Sequence, residues 1–186
     1  MADDLDIPGR LKLYFPIFFE MLGYNKLNWR KVTKLFPKRL TEWMAEHEKT
    51  KKNVKVEASI LHIITSSLQG DEKAQNHLAF IKKLFEELVD GLEAEERKLV
   101  VPALYGMLTN IDRRFYNFLG ELCVLNNIKK SGKYKLVDIE VPVVAANPKG
   151  PKLDFKLLDQ AKSTYTFVEI VNVHIPTMYM SMAAMP

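Results

Sequence analysis

The spacing of apolar residues changes once along this chain, at Ser131-Gly132. Before this point apolar residues recur at the spacing of amphipathic helices, and after it apolar and polar residues alternate as they do in strands. We therefore predict an α+β fold, with a helical region at residues 1–127 and a small β-sheet region at residues 128–186. Because no flexible linker separates them, we expect one compact unit in which a helix at residues 112–127 belongs to the core of the sheet.

Stop signals and caps divide the helical region. Pro16 limits the first helix, and Pro37 predicts a break near Phe36 in the second helix, which Asn28 can cap. The negative charge that begins at Glu93 opens a later helix, because the helix dipole favours anions there. The helices predicted from these signals are residues 10–22, a segment that starts at 28, 56–68, 75–92, 93–108 and 113–126.

Three strands are predicted after the change in spacing: residues 134–143, 153–158 and 165–175. In the last of these, Phe167 and Glu169 share one face while Val168 and Ile170 share the other. Both faces are largely apolar, so we expect this strand at the centre of the sheet with Glu169 in or near the core.

The composition is that of a soluble globular protein: 47% of the residues are hydrophobic and 27% are charged. One cysteine, Cys123, excludes an intramolecular disulfide, and no Cys/His set has the spacing of a zinc site. His62 and His77 have no acidic or histidine partner one turn on, so we expect ordinary histidines. The acidic start, Asp3-Asp4, and the lack of an apolar run of ~20 residues predict a cytoplasmic protein without a membrane segment.

Basic residues are concentrated between positions 26 and 55, and the net charge of the chain is +4. One interpretation is a surface that contacts phosphate groups of DNA or RNA without reading their sequence, with Trp29 or Trp43 beside it. The commoner alternative is a solvated helix surface followed by a lysine-rich loop. The candidate nucleic-acid-binding residues are Arg30, Lys31, Lys34, Lys38 and Arg39.

Two carboxylates, Asp154 and Glu169, stand in runs that otherwise predict strands, although strands disfavour acidic residues. An ionised carboxylate near a core is costly unless it is paired or bound to a cation. If their strands pair, the two carboxylates converge and can bind one Mg²⁺. The alternative is simple ion pairing with lysines at a strand end, such as Lys152, Lys156 or Lys162.

The order of these parts, a helix with Glu121, a strand, a strand with Asp154 and a strand with Glu169-Ile170-Val171, resembles the core of the PD-(D/E)XK nuclease superfamily. The resemblance covers residues 112–175. It implies a small mixed sheet of restriction-endonuclease-like type, with Mg²⁺ or Mn²⁺ held by Asp154, Glu169 and Glu121. The implied reaction is phosphodiester hydrolysis. Family members continue with a further helix and strand, so the sheet is expected to be incomplete here.

Val171 stands where the family motif has lysine, and Leu153-Asp154 stands for its Pro-Asp pair. We therefore expect hydrolysis to be weak or lost, with Lys156 as the nearby candidate for a displaced catalytic lysine. The alternative function is a non-catalytic module for nucleic-acid binding or protein assembly. The methionine-rich, uncharged tail at residues 176–186 is the candidate contact for a protein partner or a second copy of the chain.

Overall fold

The computed structural model describes residues 7–22, 29–51, 59–110 and 114–171. These residues form an α+β fold in which helices are followed by a small antiparallel sheet. The helices are α1 (Ile7–Tyr14), α2 (Pro16–Leu22), α3 (Trp29–Thr50), α4 (Ile60–Leu68), α5 (Glu72–Gly91), α6 (Ala94–Thr109) and α7 (Arg114–Lys130). The strands are β1 (Tyr134–Pro142), β2 (Lys152–Asp159) and β3 (Thr164–Val168).

Polar caps set the starts of the central helices. The Ser59 side chain accepts a hydrogen bond from the backbone N–H of His62, and Asp71 accepts one from Ala74. At α6 a capping box forms between Glu93 and Glu96. Residues 56–58 of the predicted 56–68 helix, and the predicted cap Asp112, lie outside the described residues.

Proline acts differently at two positions. Pro16 limits the first helix, but the single helix predicted over 10–22 is two helices, α1 and α2. Pro16 occupies the first turn of α2, where a missing N–H costs nothing. The predicted break at Pro37 is wrong, because α3 runs through it from Trp29 to Thr50. A proline inside a helix removes one hydrogen bond, and tertiary packing offsets that loss here: α3 packs on α1 and α6, and Trp43 is buried.

The three strands pair antiparallel in the order β1-β2-β3, so the prediction of a mixed sheet is wrong for the strands described. Residues 143–151 join β1 to β2, and residues 160–163 join β2 to β3. Such connections are too short for a parallel crossover, which needs a dozen or more residues. Opposite residues in the ladder include Ile139 with Phe155 and Phe155 with Val168.

The last strand is shorter than predicted and lies at an edge of the described sheet. Pairing ends at Val168, so Glu169 follows β3, and its side chain is exposed rather than held in the core. The alternation of faces is confirmed, since Val168 and Ile170 pack against the core while Phe167 is half exposed. Residues 172–175 of the predicted strand lie outside the described part of the chain.

One hydrophobic core joins the helices to the sheet. Leu136 of β1 and Phe155 and Leu157 of β2 belong to the same buried cluster as Phe85 of α5 and Phe115 of α7. Contacts of β1 with both α6 and α7 seat the sheet on these two helices. No helix among the described residues has the length and apolar character needed to cross a bilayer.

Candidate functional site at the junction of α7 and the sheet

A cleft of about 240 Å³ opens where α6 and α7 meet β1 and β2. We call it the carboxylate cleft, because Glu121, Glu140 and Asp154 all line it. Its polar lining among the described residues is completed by Arg114 and Asn117 of α7. Each of the three carboxylates comes from a different element, so only the tertiary fold brings them together.

The local sequence of α7 explains why its polar residues face the cleft. Arg114, Asn117 and Glu121 are spaced by three and four residues, which places them on one side of a helix. Phe118 packs on Gly106 of α6, where a β-carbon would lie 2.5 Å from the Phe118 ring. This close approach favours glycine at position 106, and it sets the packing of α7 on α6 beside the cleft.

The cleft perturbs the acidity of Glu121. Burial raises the pKa of Glu121 to about 7, with further contributions from the negative charges of Asp154 and Glu140. Glu140 is itself exposed and pairs with Lys152, whose Nζ lies 2.8 Å from its Oε2. A carboxyl group that is half protonated near neutral pH is common at functional sites, although buried ion networks also produce one.

Asp154 connects the cleft to the chain that follows β3. The backbone N–H of Ile170 donates a hydrogen bond to Oδ2 of Asp154. This bond holds the backbone next to Glu169 beside Asp154, but the Glu169 side chain does not line the cleft. Of the three metal ligands implied by the family resemblance, the structure brings Glu121 and Asp154 together and leaves Glu169 exposed at the surface.

These carboxylates do not make a complete metal site. Among the residues described, no group of three or more His, Cys, Asp or Glu side chains has the geometry to hold a metal ion. Mg²⁺ needs near-octahedral oxygen ligands and binds through one or two carboxylates when substrate phosphates supply others. The donor set present, Glu121 with Asp154, therefore fits at most a weak cation site, and we derive no catalytic step from it.

Lys156, the predicted substitute for the motif lysine, does not line the cleft. Its ammonium group lies 4.4 Å from the ring centroid of Tyr165 and 5.9 Å from that of Phe167. These distances are typical of cation–π contacts. Both rings are at least half exposed, at 57% for Tyr165 and 50% for Phe167. We call Lys156, Tyr165 and Phe167 the aromatic-lysine face.

The predicted basic residues Arg30, Lys31, Lys34, Lys38 and Arg39 all lie on α3. The side chains of Lys34 and Lys38 are exposed. The Nζ atom of Lys38 lies 3.9 Å from Oε1 of Glu42, one turn along the helix, and the two side chains form a solvated ion pair. An exposed pair of this kind contributes little to stability and does not by itself mark a binding surface.

Sequence patterns missed three sets of residues in these surfaces. Arg114 and Asn117 had a signal, since they share the helical spacing of Glu121, but nothing in the sequence shows which side of α7 faces the sheet. Tyr165 and Phe167 alternate along β3, and their exposure follows from the edge position of that strand. Glu140 also lines the cleft. Its own backbone φ is positive, at 50°, and strand periodicity does not predict this conformation.

In comparisons with protein-family models, with characterised proteins and with solved structures, no significant match to this chain was found.

Proposed function

We propose that this chain is a non-catalytic nucleic-acid-binding domain that binds single-stranded DNA or RNA on its aromatic-lysine face. The observation that carries the proposal is the pair of exposed rings, Tyr165 and Phe167, with the ammonium group of Lys156 over both. Bases of any sequence stack on aromatic side chains, and a nearby cation attracts the phosphate backbone. The net charge of +4 favours the same partner.

Binding by this face should be weak, insensitive to sequence and dependent on salt. Two rings accommodate about two bases, and each stacked base contributes ~1–3 kcal/mol. Asp138 is paired opposite Lys156 in the ladder and is exposed, so part of the positive charge is offset. No described feature reads base edges, which is the requirement for sequence specificity.

The test is fluorescence anisotropy of a labelled oligothymidylate at about 50 and 200 mM NaCl, where phosphate contacts show as a fall in affinity. The double substitution Tyr165→Ala with Phe167→Ala should weaken binding at least ~10-fold, because it removes both stacking surfaces. Phe80→Ala is the matched control, since Phe80 is a 52% exposed aromatic residue on α5. Equal affinities for the double variant and this control would overturn the proposal.

A second candidate function is weak metal-dependent phosphodiester hydrolysis in a nuclease-like core. The observation that favours it is the carboxylate cleft, in which Glu121 and Asp154 lie on α7 and β2 as the family resemblance implies. A bound Mg²⁺ or Mn²⁺ would stabilise negative charge on phosphate. Val171 is 80% exposed and has no charge, so the motif supplies no cation to the transition state.

The two candidates are separated by incubating labelled DNA and RNA with Mg²⁺ or Mn²⁺. We expect no robust cleavage by the natural chain, because the loss of one charged group aimed at a transition state costs ~10²–10³ in rate. Val171→Lys tests whether the missing cation is the cause. If the natural chain cleaves nucleic acid and Asp154→Asn abolishes that cleavage, the enzymatic function is established and the non-catalytic proposal is contradicted.

The remaining predictions concern other partners. A protein partner or second copy bound through residues 176–186 stays a prediction, because this tail lies outside the described residues. Binding of nucleic acid by the basic residues of α3 also stays a prediction, and Lys34→Gln with Lys38→Gln would test it in the same anisotropy assay.

A further inference from the structure

We infer that the cavity between α5 and α7 binds a small aromatic heterocycle that carries a ring N–H and an anionic group, of the indole-carboxylate class. This cavity has a volume of about 260 Å³, and we call it the interhelical cavity. Its lining residues on α5 include Phe80 and Leu84, and those on α7 include Cys123 and Asn126. None of its described lining residues belongs to the carboxylate cleft or to the aromatic-lysine face, so the inference goes beyond the proposed function.

One buried polar atom of a residue that lines the interhelical cavity lacks a partner. Asn126 is 4% exposed, and its Oδ1 is closed to solvent and accepts no hydrogen bond from the part of the chain that the structure describes. The orientation of this amide is fixed, because Nδ2 donates to Oε2 of Glu87 at 3.1 Å and an ionised carboxylate can only accept. A buried acceptor without a donor costs free energy, so a ligand N–H that reaches Oδ1 is favoured.

The side chains around Asn126 suit a flat apolar ring. Leu84 is buried, and burial raises the pKa of the Cys123 thiol, so Cys123 stays neutral and acts as a small apolar group. Phe80 is exposed, and exposed side chains change rotamer readily, so its ring can move aside for a ligand and then stack on it. A volume of about 260 Å³ lies below the range of ~300–1,000 Å³ for drug-sized ligands, which limits the ligand to one or two rings.

Two lysines that line the interhelical cavity favour an anionic ligand. Nζ of Lys130 lies 2.6 Å from Oε2 of Glu87, whereas Nζ of Lys83 lies 3.9 Å from Oε1 of the same residue. One carboxylate therefore offsets only one of the two ammonium groups, and the cavity keeps a net positive charge. The side chain of Lys83 is 76% exposed and only loosely paired, so it has N–H donors available for a ligand carboxylate.

The experiment titrates the ¹⁵N-labelled full chain with indole-3-acetate and follows the backbone and side-chain amide signals by NMR. We expect saturable shifts at Asn126 and at the residues of α5 around Phe80 and Leu84. The matched probe is 1-methylindole-3-acetate, because its methyl group removes the N–H donor and keeps the ring and the carboxylate. This probe should bind about tenfold more weakly, as the loss of one hydrogen bond to a buried acceptor implies.

Three variants assign the contacts. Asn126→Leu removes the acceptor, so the two probes should then bind with equal affinity. Lys83→Met should weaken binding of indole-3-acetate about threefold, as expected for an exposed ion pair, and should leave binding of uncharged 3-methylindole unchanged. Lys73→Met is the control, because it removes the same charge from an exposed position of α5 outside the cavity and should change neither affinity.

The comparison of the two probes on the natural chain tests the inference even if Asn126→Leu does not fold. Equal affinity of the natural chain for indole-3-acetate and its N-methyl analogue would overturn the inference. So would the lack of any saturable shift with indole-3-acetate, or shifts confined to residues outside α5 and α7. Thermal unfolding of each variant, followed by circular dichroism, shows whether a loss of affinity is a loss of folding.

Discussion

The environment of His62 on α4 illustrates how one buried side chain sets a pH response. His62 is 5% exposed, and the ring of Trp43 meets its ring edge to face with 6.1 Å between centroids. Burial lowers the pKa of His62 from 6.5 to about 4, against the opposing effect of the negative charge of Asp71. At neutral pH His62 is therefore a neutral member of the core rather than a charged surface group.

This depressed pKa makes the folded protein less stable in mild acid. The unfolded chain binds a proton at His62 below about pH 6.5, whereas the folded chain resists protonation until about pH 4. The free energy of unfolding should therefore fall as the pH is lowered through this window. The expected contribution is ~2 kcal/mol between about pH 8 and pH 5. Urea denaturation at both pH values measures it.

The control is His77→Gln, because His77 lies exposed on α5 and should keep the natural pH dependence. His62→Gln should reduce the difference in unfolding free energy between the two pH values, whatever its effect on stability at either one. An unchanged difference in the His62 variant would show that other groups produce the acid sensitivity.

The sequence located two of the three acidic residues of the carboxylate cleft but not their arrangement. Asp154 and Glu121 were predicted together, and the cleft does contain both. Glu169 was placed in a buried strand because its neighbours are apolar, but a strand's end depends on where its partner stops pairing. Arg114 could not be predicted as a lining residue of the cleft, because packing, rather than the apolar pattern of α7, sets which side of α7 faces the sheet.

At the scale of elements, a buried ion pair ties α6, α7 and β1 together. Glu96 of α6 is 1% exposed, and the Lys129 ammonium lies 2.6 Å and 2.8 Å from its two carboxylate oxygens. The same carboxylate accepts the backbone N–H groups of Glu93 and Leu136. Three donor groups make four hydrogen bonds to one buried carboxylate, so its negative charge is compensated where it is buried.

Breaking this pair should destabilise the whole fold. Lys129→Met leaves the Glu96 charge buried without its main partner, which typically costs ~3–5 kcal/mol. Glu96→Gln should cost less, since an amide oxygen still accepts one backbone N–H. The free energy of unfolding from urea denaturation at neutral pH measures both changes.

The exposed pair of Lys98 with Glu95 is the matched control, because it joins the same residue types on α6 at 2.6 Å. Lys98→Met should change stability by no more than ~0.5 kcal/mol. If Lys98→Met and Lys129→Met were equally mild, the buried pair would not be what joins the sheet to the helices.

Elements differ in how well the sequence predicts them, and packing explains the difference. α5 was predicted over 75–92 and occurs at Glu72–Gly91, because a continuous apolar stripe and the cap at Asp71 agree. The sequence predicts a break in α3 because proline disfavours the interior of a helix, yet contacts with α1 and α6 stabilise the unbroken helix. Local signals are sufficient where they agree with packing and insufficient where packing opposes them.

At the scale of the whole molecule, the described helices and sheet share one core rather than two. Phe15 of the loop between α1 and α2 meets Phe85 edge to face at 5.8 Å between centroids. Phe85 belongs to the same buried cluster as Leu136 and Phe155 of the sheet. Because the buried cluster is shared, separating the sheet from the helices would expose apolar residues of both, which costs free energy.

We therefore predict one cooperative unfolding transition, as expected for a small single core. Circular dichroism during urea denaturation reports mainly the helices and gives a free energy of unfolding. Amide hydrogen exchange at Leu136 and Leu157 should give the same free energy for opening of the sheet.

Phe155→Ala should lower both free energies together by ~3–5 kcal/mol, because it opens a cavity where β2 meets the shared core. Phe167→Ala is the control, since this half-exposed ring lies on the outer face of β3 and should change stability far less. Sheet amides that exchange at a free energy well below that of the helical core would show instead that the sheet opens independently, and that Glu96 and the shared apolar cluster do not couple it to the helices.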